Sequence, residues 1–126
     1  RSGARIVDAG CGLGAGLREL HAAYPQAQLV GLEFSPLLAL ACAWRCKFAR
    51  VIRADLWAAH WSGYDMVYLF QRPESMPRAA LKGAKELAPG AWLVSLEFEI
   101  PALEPHAVWR CADGRDVFAY RAPLRL

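Results

Sequence analysis

No stretch of this chain approaches the roughly 20 uninterrupted apolar residues that a membrane-spanning helix requires. Glu33, Arg45 and Lys47 break up its most apolar region. No segment reads as a secretory leader either. Histidine is scarce: His21, His60 and His106 belong to no His-x-x-x-His or carboxylate-bracketed pattern, so no metal site is expected. Cys11, Cys42, Cys46 and Cys111 are irregularly spaced, and although Cys42 and Cys46 can share a helix face, no second ligand pair completes a zinc site. The expectation is reduced, mostly buried thiols in a cytoplasmic protein. Clustered charge is missing as well. The net charge of +3 comes from basic residues scattered from Arg1 to Arg125, which form no electrostatic stripe, so no nucleic-acid partner is expected. With no internal repeat and no low-complexity tract, the 126 residues are expected to form one domain, residues 1–126, around a single core.

What the chain does have is an alternation of periods. "ARIVDAG" carries a strand signal broken by glycine, and the stretch after it places Leu17, Leu20 and Tyr24 at helical spacing until Pro25. "AQLVGLEF" is a second strand. Ser35 and Pro36 then form an N-cap and first-turn pair opening a helix through about Lys47. "FARVIRADL" and "YDMVYLF" predict a third and a fourth strand, followed by a helix from about Glu74 to Leu87, the Pro89-Gly90 turn and a fifth strand in "AWLVSLEFEI". "HAVWRCA" and "RDVFAYR", separated by Asp113 and Gly114, predict an antiparallel hairpin. The fold class expected is α/β: a doubly wound, mostly parallel, Rossmann-like sheet with a C-terminal antiparallel hairpin.

In such sheets a ligand sits beyond the carboxyl ends of the strands, where the first strand-to-helix loop lies. That loop is "VDAGCGLG", with Gly10, Gly12 and Gly14 at alternate positions. With Ala15 in the third position it also satisfies the dinucleotide pattern G-x-G-x-x-[GA], so the glycines alone leave the ligand open. Asp8 separates the two readings. A carboxylate there opposes a pyrophosphate but favours a ligand carrying ammonium and sulfonium charges, as S-adenosylmethionine does. Glu33, about 20 residues past the loop at the end of the second strand, is placed to accept hydrogen bonds from a ribose diol. Asp55, at the expected end of the third strand, can accept from the exocyclic amine of adenine, with Leu56 and Phe34 on the ring faces; its alternative role is a cap or a solvated loop residue.

These residues resemble a class I S-adenosylmethionine-dependent methyltransferase, with "VDAGCGLG", "GLEFSP", "RADLW" and "LAPGAWLVS" as its motifs. "LEFSPLLALACAWR", "RADLWAAHWSGYDMVYLF" and "FQRPESM" are similar to the family that includes the ATP synthase c-subunit lysine N-methyltransferases. The resemblance implies Asp8, Gly10, Gly12, Gly14, Glu33 and Asp55 as cofactor residues, and the expected cofactor set adds Cys11, Phe34, Leu56 and Phe70 to them. It puts Phe70, Pro73 and Met76, an F-x-x-P-x-x-M pattern, at the acceptor side together with Gln71. It further implies methyl transfer to an acceptor nitrogen, most readily a protein lysine, with S-adenosylhomocysteine as product. Family members carry an additional N-terminal segment; with Arg1 almost directly on the first strand, the expectation is a domain without that segment and its lid helix.

Methyl transfer from a sulfonium is an in-line displacement, so the enzyme's main task is to align a neutral lone pair with the methyl carbon. Gln71 can accept a hydrogen bond from the nucleophile or cap its own loop, and Glu74 reads as a favourable first-turn charge. No catalytic acid or base is assigned. Two other functions compete: transfer to a small molecule, and a non-catalytic cofactor-binding module. A nicotinamide oxidoreductase is disfavoured by Asp8.

Overall fold

A computed structural model describes residues 3–126. They form two compact units, the first running to Ala59 and the second from His60 to Leu126.

The first unit is built on three parallel strands, β1 (Arg5–Ala9), β2 (Gln28–Glu33) and β3 (Ala49–Arg53), in the order β3-β2-β1. Ile6, Val7, Asp8 and Ala9 are buried one after another, as in a strand covered on both faces rather than an alternating one. The register sets Asp8 opposite Gly31 and Glu33 opposite Arg53. Gly31 is a packing requirement: a Cβ there would come within 2.8 Å of both the Cys11 Sγ and the Leu17 Cδ1. Helix α1 (Ala15–Ala23) buries Leu17 and Leu20 and ends, as expected, just before Pro25. In α2 (Pro36–Arg45) the Ser35 hydroxyl accepts from the Leu38 N–H at 3.3 Å, the N-cap that the Ser-Pro pair predicts. The helix ends two residues short of the expected Lys47, with Cys46 as its C-cap.

The second unit pairs β4 (Met66–Leu69) with β5 (Trp92–Leu96) in parallel, then adds β7 (Asp116–Arg121) and β6 (Ala107–Arg110) antiparallel, in the order β4-β5-β7-β6. The β6–β7 turn is the predicted one, with Gly114 at φ 89°. Between β4 and β5 the expected single helix is a 3-10 turn, Pro73–Ser75, followed by α3 (Met76–Glu86). Prolines in the first turn of each explain the break, since Pro lacks the N–H that would continue the preceding turn. Helix α3 turns Ala79, Ala80 and Gly83 inward, and an added Cβ on Gly83 would meet Leu124 at 3.0 Å and Leu93 at 3.3 Å. Its Glu86 accepts from the Trp61 backbone N–H at 2.7 Å and pairs with Lys82 at 2.8 Å, tying the loop before β4 to the helix.

Candidate functional site

Beyond the carboxyl end of β1, the chain turns back on itself through three glycines with positive φ: Gly10 at 88°, Gly12 at 55° and Gly14 at 97°. The turn is anchored on β2, because the Gly10 and Cys11 N–H groups both donate to the Leu32 carbonyl, at 2.8 and 2.9 Å. Gly14 closes it by donating to the Cys11 carbonyl and serves as N-cap of α1. Its second requirement is space: a Cβ at Gly14 would run into the Cys46 and Cys42 sulfurs of α2. Among the described residues, its chain neighbours apart, no atom lies within 4 Å of where a Cβ on Gly12 would stand, so the loop presents bare backbone to open space there.

Glu33 holds this loop from the side. One carboxylate oxygen accepts from the Gly12 N–H and the other from the Ser35 N–H, both at 2.9 Å. The side chain therefore fastens the glycine turn to the start of α2, and each oxygen keeps a second lone pair for a further donor.

Asp8 is in a different state. It is 4% exposed, and among the described residues no cation or hydrogen-bond donor meets its carboxylate. Burial first, then the charges of Glu19 and Glu33, push its pKa up to about 7. A buried carboxyl without a counterion is costly to ionise, and a bound cation would remove that cost.

The remaining residues of the expected cofactor set have mixed placements. Cys11 turns its thiol into the core, 3.5 Å from the Cys42 sulfur, where burial and then Cys42 raise its pKa. Only the Cys11 backbone faces the loop, so its side chain is a packing element. Phe34 stands exposed with the Arg53 guanidinium 5.2 Å from its ring centroid, while Arg53 Nε donates to the Phe34 carbonyl at 3.0 Å. Asp55 lies two residues past the end of β3, not within it. Its carboxylate accepts from the Trp57 N–H at 3.0 Å, and its carbonyl accepts from Ala58 and Ala59. The bond to Trp57 closes a local turn, with no helix after it for Asp55 to cap, while Asp55 stays exposed and Leu56 half-buried beside it.

In the second unit, Phe70 follows β4 and stacks on Phe98 with ring centroids 6.4 Å apart and planes within 8°. Arg115 covers Phe70 at 5.5 Å. Gln71 is half-buried and Pro73 exposed at the start of the 3-10 turn. Met76 does not belong with them: it is fully buried, with the Ser95 hydroxyl 3.8 Å from its sulfur, and is core rather than acceptor surface. Phe98 was not singled out from the sequence. It reaches Phe70 through a tight turn in which its N–H bonds back to the Leu96 carbonyl at 2.9 Å across Glu97, a non-glycine residue at φ 74°. The Ser95 hydroxyl fixes the turn by donating to the Phe98 carbonyl at 2.6 Å.

Among the described residues, no group of three His, Cys, Asp or Glu side chains is arranged to hold a metal, and no helix is long and apolar enough to cross a membrane.

Comparison with known proteins agrees with this geometry. The family model of the ANTKMT methyltransferase domain matches residues 8–107. Over 114 residues the chain is 27% identical to the secondary metabolism regulator laeA of Aspergillus fumigatus, covering 87% of this chain; the chain spans only 30% of that relative's length. An RNA methyltransferase from Salinibacter ruber, solved with S-adenosyl-L-homocysteine, has the same fold at a TM-score of 0.87 and 22% identity, covering 98% of this chain and 83% of the other. A TehB-like SAM-dependent methyltransferase from Corynebacterium glutamicum aligns at a TM-score of 0.69 and 17% identity, covering 96% and 81%. The fold is the class I, Rossmann-like methyltransferase fold with its antiparallel C-terminal strands.

Proposed function

The chain belongs to the family of the ANTKMT methyltransferase domain, whose fold is that of S-adenosylmethionine-dependent enzymes, and from that premise we propose that it transfers a methyl group from S-adenosylmethionine to a nitrogen, with a protein lysine as acceptor. The observation that carries the cofactor half is the partnerless, buried Asp8 carboxylate at the mouth of the glycine turn. An ammonium or sulfonium ligand supplies the missing counterion, whereas a pyrophosphate would add charge of the same sign. The cofactor fits the residues present: Glu33 offers spare lone pairs to a ribose diol, Gly12 leaves open space for close approach, and Phe34 offers an exposed ring face. When bound, S-adenosylmethionine supplies an electrophilic methyl group. Asp8 would offset the ligand's charge, and the bare backbone at Gly12 would let it approach closely. Asp55, already fixed by its bond to Trp57, keeps one carboxylate oxygen for an amine donor.

Two features of the second unit support a side-chain nitrogen as acceptor. No helix forms between Leu96 and Ala107, and so short and irregular a connection after β5 suits a residue projecting from a larger molecule. The Phe70–Phe98 pair offers an apolar wall against which an amine would lose water and, with it, its proton.

Incubation of the protein with isotopically labelled S-adenosylmethionine and a cell extract, followed by mass spectrometry, tests the proposal. Methyl-lysine in protein is the expected product, and Asp8→Ala is expected to weaken cofactor binding by about 1–3 kcal/mol and to lower the label accordingly. Label in RNA or in small amines only would replace the acceptor assignment. Unchanged cofactor affinity in Asp8→Ala would remove the electrostatic argument.

A further inference from the structure

Helix α2 is packed inside out. Ala39, Cys42 and the capping Cys46, small residues at three- and four-residue spacing, face the core. On the opposite face Leu37, Leu40 and Trp44, which share one stripe at the same spacing, are 80%, 71% and 74% exposed, with Leu38 at their flank. Helices at a water surface normally bury their large apolar residues and expose charge. Three neighbouring apolar side chains this exposed on one helix of about 15 Å mark a binding surface rather than scattered surface apolarity.

The charge around the stripe identifies what covers it. From Phe34 to Ala54 there is no acidic residue, while Arg45, Lys47, Arg50 and Arg53 are all exposed. None of these four cations pairs with a carboxylate among the described residues; Arg45 and Arg53 instead donate to the Leu13 and Phe34 carbonyls. A second copy of this face would bring like charges together. We propose that α2 is a docking face for an anionic lipid surface, with Leu37, Leu40 and Trp44 entering the headgroup boundary and the Arg45 and Lys47 cations at the end of the helix held by acidic headgroups. Leucine and tryptophan on one side with lysine and arginine alongside is the arrangement by which a helix lies in a membrane interface without crossing it. Leu13, exposed at the tip of the glycine turn and joined to Arg45 by the 3.1 Å bond to its carbonyl, extends the face toward the cofactor loop.

Sedimentation of the full chain with phosphatidylcholine vesicles, with and without about one-third phosphatidylserine, tests this. Binding is expected to the anionic vesicles only and to fall as salt is added. Leu40→Ser/Trp44→Ser is expected to reduce partitioning at least about tenfold, and Lys47→Glu several-fold, with circular dichroism and cofactor binding unchanged. Absence of binding by the native chain, equal binding to neutral vesicles, or binding indifferent to both variants overturns the proposal. So does a concentration-dependent dimer abolished by Leu40→Ser/Trp44→Ser, or binding to polyglutamate without binding to vesicles, which would assign the face to a second copy or to an acidic protein.

Discussion

Asp8 concentrates the chemistry of the site in one side chain, and its cost to the fold follows from its surroundings. Burial raises its pKa from 3.8 to about 7, so between those values the folded chain holds a proton that the unfolded chain has released. The folded state therefore loses stability as pH rises from about 4 to about 7 and remains penalised above that range. Asp8→Asn is expected to raise the stability of the ligand-free protein by about 1–3 kcal/mol at pH 8 and to change little at pH 4, as measured by urea unfolding at both values. At this scale the position of Asp8 was legible, since a carboxylate between a strand and a glycine turn stands out in the sequence itself. The double engagement of Glu33 was not, because Gly12 and Ser35 reach it through backbone N–H groups, which every residue carries. Nor was the inward thiol of Cys11, whose direction depends on Cys42 and on the missing side chain at Gly31.

Among the elements, those with strong periodicity or paired punctuation were read almost to the residue: β1 from its apolar run, α2 from Ser-Pro, and the β6–β7 hairpin from Asp113-Gly114. Boundaries slipped where a local turn ends or divides an element. The third strand stops before Asp55 because that carboxylate turns the chain onto Trp57, and the helix expected from Glu74 is divided at consecutive proline-bearing turns. The turn at Glu97 gave no sequence signal at all, since its positive φ falls on a residue that ordinarily avoids it. The strain is held by Ser95 and by the Glu97 N–H, which donates to the Asp116 carbonyl at 2.7 Å. Glu97→Gly is accordingly expected to stabilise the fold by about 0.5–1 kcal/mol, where a glycine elsewhere on the surface costs as much. A thermal scan distinguishes the two.

For the whole molecule, alternating strands and helices specified the fold class, and the glycine turn with its two acids specified the ligand class. The acceptor remained beyond the sequence, as did surfaces that only packing creates, such as the Phe70–Phe98 pair, whose partners are 28 positions apart. If cofactor binds the folded chain alone, mass action fixes its effect on stability. S-adenosylhomocysteine at about 100 times its dissociation constant is expected to add about 2.7 kcal/mol and to raise the melting temperature by roughly 8 °C, while NAD at equal concentration leaves it unmoved. Differential scanning fluorimetry provides the measurement.

The Glu33 carboxylate pins the glycine turn to the N-cap of α2 at two points, by bonds that belong to the chain itself. On the proposed function, a nucleoside arriving there need not freeze a wandering loop. Recognition is then expected to resemble a key entering a cut lock, with arrival governed by diffusion.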